Sequence, residues 1–335
     1  MRYLALNNNP FYLFSEEMGK VLGLTEGNAR EIVSGLNSIT SCLHVVLRER
    51  EISHAAAVDP SVQHNPRDLY FRDDPQLLEF IWEQYDQPPP ECLLPVLPGL
   101  HQENEIFVGQ NDLFTATLQN NCDRMRAWHS KNLTVHLPIS PQDDTEDVIA
   151  TLTSPEVMGA VGGPDAAEFN VSIDLENNWH KSFFGDLDHC TDLFRELDEK
   201  LVDVGRPDLI SQYNFCYDHG HFTVQANQLN YDKESMLPRF FRQMRPRIKT
   251  LHLHCNDGSL DQHLPFGTLP TSPGIRRMKN LNYAILQENE QLLLTQLPIL
   301  QLDMQDDWTI VTELGVPYTF EELVHMGTLI LEHLS

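Results

Sequence analysis

The sequence predicts an α/β protein in which parallel strands, each followed by a crossover helix, close into a (β/α)8 TIM barrel. From about Asp123 onward, short apolar runs alternate with amphipathic helical patterns, as in "EFNVSIDLEN" and then "DLFRELDEKLVDVG". A chain of 335 residues has room for eight such units. A doubly wound open sheet is the alternative, but no G-x-G-x-x-G motif follows a strand, so its dinucleotide-binding form loses its main support.

The front of the chain begins with the same alternation and then departs from it. "RYLALNNN" predicts a first strand, Thr25 is placed to cap a helix in "TEGNAREIVSGLNSI", and "SCLHVVLRER" follows as a β-branched run. The range 52–125 is richer in turn residues and is broken by prolines, as in "DQPPPECLLPVLPG". We interpret it as an irregular insertion or lid within a single domain, 1–335.

Composition limits the classes of partner. A net charge of −26 argues against general attraction to nucleic acid or to an anionic membrane surface. No run approaches the roughly 20 apolar residues that span a bilayer, and the N-terminus lacks a signal-like apolar stretch, so we expect a cytoplasmic protein. Six cysteines without a C-x-x-C pair are expected to be free thiols. A homo-oligomer stays open, with the dimer as the commonest form.

The candidate chemistry lies where four predicted strands end. "VSIDLEN" ends in Glu176, "FCYDHGH" ends in Asp218 with His221, "KTLHLHCND" carries His252 and His254, and "TIVTELG" ends in Glu313. In a parallel barrel these ends share one rim, which is where active sites lie. Carboxylates with imidazoles suit Mn²⁺, Mg²⁺, Zn²⁺ or Fe²⁺, and a cation would offset the repulsion among the acids.

These motifs, in this order and at strand-sized gaps, resemble the metal site of the xylose isomerase-like TIM barrels, a family of sugar isomerases, epimerases and endonuclease IV. The resemblance covers about the C-terminal two thirds of the chain. It implies one divalent metal ion held by Glu176, Asp218, His252 and Glu313. Cys255 departs from the family, because many relatives carry an aspartate there; either Asp257 replaces that contact or the contact is absent.

A second set of residues is implied to contact substrate or to hold further ions. It consists of His221, His254, His136 in "TVHLPIS", and Asp261 with His263 in "SLDQHLPFG". Each of these residues also has a plainer interpretation, as a capping or core histidine or as part of a solvated loop. Glu176 and Glu313 have one as well, since each is equally consistent with a strand-end carboxylate in a salt bridge. Cys216 and Cys255 are predicted to be buried structural thiols.

The resemblance implies a metal-dependent isomerase or epimerase in carbohydrate metabolism, acting on a small polyhydroxylated carbonyl compound. Glu176 and Glu313 would exchange the proton through a metal-stabilised enediolate. An endonuclease IV-like phosphoesterase is the alternative, with two or three ions and extra ligands from His136, Asp261 and His263. The net charge disfavours a nucleic-acid polymer as its substrate. A non-catalytic metal- or ligand-binding accessory protein is the third possibility.

Overall fold

In a computed structural model of the protein, the part of the chain that is described lies mainly in its second half. The described residues are 2–7, 43–46, 100–102, 132–138, 145–163, 172–179, 182–267, 280–301 and 308–312, with single positions between 114 and 122 and between 326 and 333.

The strands form a parallel sheet whose order is that of a barrel. They are β1 (Arg2–Asn7), β2 (Leu43–Val46), β3 (Leu100–Gln102), β4 (Asn132–His136), β5 (Ser172–Glu176), β6 (Tyr213–Asp218), β7 (Ile248–Leu253) and β8 (Trp308–Thr312). The order in the sheet is β2-β1-β8-β7-β6-β5-β4-β3, and every pair is parallel. Because the first strand pairs with the last, the sheet curls round on itself, as a TIM barrel requires.

The described helices lie between these strands, and polar caps mark where several of them begin. They are α1 (Thr145–Leu152), α2 (Pro155–Val161), α3 (Leu187–Asp203), α4 (His219–Leu229), α5 (Lys233–Met244) and α6 (Tyr283–Gln301). Ser154, Asp186, Asp218 and Asp232 each accept a hydrogen bond from a backbone N–H in the first turn of α2, α3, α4 and α5. None of the described helices is both long and apolar enough to cross a bilayer.

Alternation along the strands separates the barrel interior from the layer beneath the helices. On β6, Tyr217 packs edge-on against Phe241 of α5 at a ring separation of 5.0 Å, and Phe215 packs against Phe240 at 5.2 Å. Burying each such ring contributes about 1.5–3 kcal/mol. The intervening residues therefore point the other way, into the barrel, and Asp218 ends that polar row.

A buried polar layer fills the barrel below the strand ends. Thr250 Oγ1 of β7 donates to Asp174 Oδ2 of β5 at 2.5 Å, and Ser172 Oγ donates to the same carboxylate. Asn214 Nδ2 of β6 donates to Ser172 Oγ at 2.8 Å. These hydrogen bonds join three adjacent strands and support the side chains one level above.

The predicted strands are confirmed from β4 to β8, as are β1 and β2 at the front of the chain. The range 52–125 includes β3 and a few single positions between 114 and 122, and the rest of it lies outside the described residues. Its interpretation as an insertion or lid stays a prediction. The helix predicted after Thr25 also lies outside the described residues.

Candidate metal centre

Three strand ends bring Glu176, Asp218 and His252 together. Glu176 ends β5, Asp218 ends β6, and His252 of β7 pairs in register with Asp218. His252 Nδ1 lies 3.2 Å from Glu176 Oε1 and 3.8 Å from Asp218 Oδ2. Both carboxylates are fully buried. Glu313 follows Thr312, the last residue of β8, and lies outside the described residues.

Glu176 has histidines on several sides. His136, at the end of β4, pairs in register with Glu176, and its Nε2 lies 3.2 Å from Glu176 Oε2. His221 Nδ1 lies 3.4 Å from Oε1, the oxygen that also faces His252. Glu176 is therefore the shared carboxylate of the cluster, and His136 is one of the histidines beside it.

Asp218 does two things at once because it is both the last residue of β6 and the N-cap of α4. Its Oδ1 accepts from the backbone N–H of His221 at 2.7 Å, and its Oδ2 faces His254 Nε2 at 3.1 Å. This double role explains the D-x-x-H spacing: the cap places His221 in the first helical turn, above the strand ends. Burial alone would raise the pKa of Asp218, but His221 and His254 hold it below its usual value.

Asn177 orients both Asp218 and His221, and sequence reasoning missed it. Its side-chain amide donates to the Asp218 carbonyl at 3.0 Å and accepts from the Asp218 N–H at 2.8 Å. Its own carbonyl lies 2.9 Å from His221 Nδ1. A carbonyl on one ring nitrogen is the usual way in which a protein aims the other nitrogen at a metal. An asparagine directly after a strand-end glutamate was the available signal.

The loop after β7 adds Asp261 and His263 to the cluster. Asp261 Oδ2 lies 2.7 Å from His263 Nε2 and 3.3 Å from His221 Nε2. His263 stacks on His254, with ring centres 4.0 Å apart. Although burial opposes the shift, His263 and His221 hold the pKa of Asp261 well below its usual value. The loop residues thus face the strand-end residues rather than solvent.

Asn256 fastens the start of this loop to α4. Its side-chain amide donates to the Gly220 carbonyl at 2.8 Å, and its oxygen accepts from Thr223 Oγ1 at 3.0 Å and from the Gly258 N–H at 2.9 Å. Gly258 has a φ of 75°, a left-handed conformation that glycine adopts without strain. Asn256 therefore sets the direction in which the loop leaves the strand.

Asp257 and Cys255 both make structural contacts at the start of the loop after β7. Asp257 accepts from the Ser259 N–H at 3.1 Å and from the Asn282 N–H at 3.0 Å, so its carboxylate shapes the loop. The Cys255 thiol is buried and donates to the Leu286 carbonyl at 3.3 Å. Burial raises its pKa strongly, as expected of a structural thiol. These contacts aim Asp257 at the loop and not at the strand-end carboxylates.

Gly220 leaves the space that His254 occupies. A Cβ atom at Gly220 would collide with the imidazole ring of His254. His254 itself is fully buried, and its Nε2 lies between Asp218 Oδ2 at 3.1 Å and Asp261 Oδ1 at 3.7 Å. The glycine in "DHGH" thus allows His254 to lie between Asp218 at the strand end and Asp261 in the loop.

The donor set fits a divalent cation. Ligand atoms of Glu176, Asp218 and His221 lie within 4.8 Å of one another, as do those of His221, Asp261 and His263. Asp261 Oδ1 is buried and accepts no hydrogen bond from the described residues. Buried carboxylates beside imidazoles, one with an unsatisfied oxygen, suit an ion that takes oxygen and nitrogen ligands.

Comparison with known proteins gives no sequence relative but clear structural ones. No protein-family model and no curated sequence matches the chain. It resembles the IolI protein with a bound zinc atom (13% identity, 99% of this chain and 98% of that one, TM-score 0.53). It also resembles a xylose isomerase domain-containing protein from Salmonella typhimurium (12%, 99% and 96%, TM-score 0.52) and a D-tagatose 3-epimerase-like protein (13%, 99% and 96%, TM-score 0.50). At these identities the likeness shows the fold alone.

Proposed function

We propose that this chain, which has the fold of the xylose isomerase-like TIM barrels, is a divalent-metal-dependent isomerase or epimerase of a small polyhydroxylated carbonyl compound. The observation that carries the proposal is the buried Glu176 with His136, His221 and His252 about its two oxygens. When bound, the cation would polarise the substrate carbonyl and stabilise the negative charge that develops as the α-proton leaves.

The chain's own residues divide the work between holding and proton transfer. Glu176 Oε1 faces His252 Nδ1 at 3.2 Å, so we assign this oxygen to holding the ion. Glu176 Oε2 faces His136 at 3.2 Å and is the oxygen that we assign to proton transfer. Glu313 is proposed as the partner in that exchange and as the fourth ligand, on the resemblance alone.

Substrate contact belongs to the histidines that solvent can reach. The side chain of His136 is 16% exposed and that of His263 is 20% exposed, whereas that of His254 is fully buried. We therefore assign substrate oxygens to His136 and His263. His254 holds Asp218 and Asp261 in place.

The test is solvent-deuterium exchange at the carbon next to the carbonyl, followed by NMR over a panel of ketoses with metal-loaded protein. Glu176→Gln keeps the shape and removes the charge, so it should slow exchange on the order of 10²–10⁴-fold. Glu288→Gln is the matched control, because Glu288 is a 61% exposed carboxylate paired with Lys233. Unchanged exchange in Glu176→Gln, or no exchange with any ketose, contradicts the proposal.

A second candidate is hydrolysis of a small phosphate ester by two or three ions. The observation in its favour is that the trio of His221, Asp261 and His263 shares His221 with the trio built on Glu176 and Asp218. Neighbouring ions could bind the attacking and the leaving oxygen together. One bound ion per chain favours isomerisation, whereas two or more that fall to one in Asp261→Asn favour hydrolysis. If chelation changes neither thermal stability nor activity, the accessory-protein alternative gains.

A further inference from the structure

The Cys216 thiol, which neither candidate activity uses, belongs to a third group of ligand atoms. Ligand atoms of Glu176, Cys216 and His252 lie within 4.8 Å of one another. The three residues come from the adjacent strands β5, β6 and β7, and Cys216 pairs in register with Glu176. All three are buried. Carboxylate, thiol and imidazole are the donor types found in zinc sites.

The direction of the thiol follows from the alternation along β6. Phe215 and Tyr217 point outward to Phe240 and Phe241, so Cys216 points into the barrel, as Asp218 does two residues later. Thr134 of β4 is near enough to the thiol to lower its pKa slightly, against the stronger effect of burial. Cys216 therefore lies one pleat below Asp218 and level with Glu176.

The plainer explanation of Cys216 is that its thiol only packs in the core. Its surroundings indicate a second role as well. Burial, together with Glu176, Asp174 and Asp218, raises the pKa of Cys216 well above its usual value, so the metal-free protein holds an unreactive thiol. A cation among these carboxylates reverses the local field, and a coordinating thiol is deprotonated outright. The sulfur lies within 4.8 Å of ligand atoms of both Glu176 and His252, so an ion placed between the three would be within reach of each.

We propose that Glu176, Cys216 and His252 form a site for a thiophilic divalent cation such as Zn²⁺, Co²⁺ or Cd²⁺. Such an ion would sit deeper in the barrel than an ion held by Glu176, Asp218 and His221, because Cys216 precedes Asp218 by two residues on β6. The inference rests on the proposed function, because both sites share Glu176. Binding transfers the Sγ proton to solvent and forms a metal–thiolate bond, so charge balances. Mg²⁺ and Mn²⁺ prefer oxygen ligands and would bind instead to Glu176, Asp218 and His221.

The experiment is titration of the metal-free full-length chain with Co²⁺, followed by absorption spectroscopy. Cobalt bound to the centre gives visible ligand-field bands, and a thiolate ligand adds a sulfur-to-cobalt charge-transfer band in the near ultraviolet. We expect both in the wild type and only the visible bands in Cys216→Ala. Cys255→Ala is the matched control: it removes another fully buried thiol, whose hydrogen bond goes to the Leu286 carbonyl, and it should keep both.

The outcomes separate this inference from the proposed function. Visible bands without the sulfur band in the wild type overturn the thiolate site and leave the proposed function standing. A sulfur band that persists in Cys216→Ala belongs to another thiol and also overturns the site. A chain that binds no cobalt contradicts both proposals.

A competition assay covers the case in which Cys216→Ala does not fold. Cys216→Ser keeps the size of the side chain and exchanges the soft donor for a hard one. We expect its affinity for Cd²⁺ to fall by about tenfold or more, which is what loss of even an outer partner of a ligand costs. Its affinity for Mn²⁺ should be unchanged. Equal losses for both ions would mean that Cys216 only supports the packing, and would overturn the site.

Discussion

The strand-end group and the loop group of this centre are held by different physical means. Glu176, Asp218 and His252 lie on adjacent parallel strands, so backbone register decides their height and side-chain alternation decides their direction. Asp261 and His263 depend instead on side-chain hydrogen bonds made by Asn256 and by the neighbouring Asp257. Substitutions of neighbouring side chains should therefore leave the strand-end group in place. The geometry of the loop group should be lost when residues that contact no ion, such as Asn256, are substituted.

The largest effect is expected at Asp218, where the two groups meet. Asp218→Ala removes the cap of α4 and takes from the buried His254 its nearest carboxylate oxygen. Breaking a buried pair of this kind costs about 3–5 kcal/mol. The free energy of unfolding of the metal-free protein should therefore fall by that order. Asp218→Asn retains the cap, which is worth about 1 kcal/mol. Denaturant unfolding of the two variants separates the two contributions: most of the loss should already be present in Asp218→Asn, and no loss in Asp218→Asn would mean that the carboxylate charge contributes nothing.

Substitution of Asn256 should affect the loop group alone. Asn256→Ala leaves the buried Gly258 N–H without its side-chain acceptor and should cost about 1–3 kcal/mol. Any ion held by Asp261 should be lost, while one held by Glu176 is retained, and metal analysis by mass spectrometry counts both. Gln228→Ala is the control, since its long contact with the Ser259 carbonyl, 3.4 Å, is exposed. Loss of both ions in Asn256→Ala would contradict the division into two groups.

Gly220 couples the two groups through His254. Gly220→Ala puts a methyl group into the His254 ring, and overpacking of this kind costs about 1–3 kcal/mol. Gly159→Ala in α2 is the matched control: nothing lies within 4 Å of its added Cβ, and the change should stabilise the helix by up to about 1 kcal/mol. Thermal unfolding of both variants tests this, and similar Tm shifts would rule out the steric explanation.

The smallest effect expected is a pH dependence that metal suppresses. Burial alone would lower the pKa of His221, but Asp218, Asp261 and Glu176 raise it well above its usual value. A raised histidine pKa stabilises the fold fully below the unfolded value of about 6.5, and that stabilisation is lost as pH rises through the folded pKa. A bound cation satisfies the same carboxylates without a proton. Differential scanning fluorimetry should therefore show a metal-induced Tm gain that grows as the solution becomes more alkaline; a constant gain would contradict this.

Sequence reasoning reached the strand-end group because that group obeys local rules. Alternation on β5, β6 and β7, together with parallel direction, brings Glu176, Asp218 and His252 to one rim without any knowledge of loops. The same alternation puts Cys216, two residues before Asp218, on the same face of its strand. Its distance from Glu176 and His252 could not be predicted from alternation alone, so the thiol was interpreted as structural.

The sequence by itself determined the barrel, the order of its strand ends and the residue types that they carry, because strand periodicity is a local property. Only the tertiary structure decided which atoms face one another. Asn177 reaches Asp218 across 41 residues, and Asn256 reaches Gly220 across 36. Such contacts depend on how distant segments pack, and no local pattern encodes the distance between them. That packing turns a row of strand ends and a polar loop into one buried cluster around Glu176.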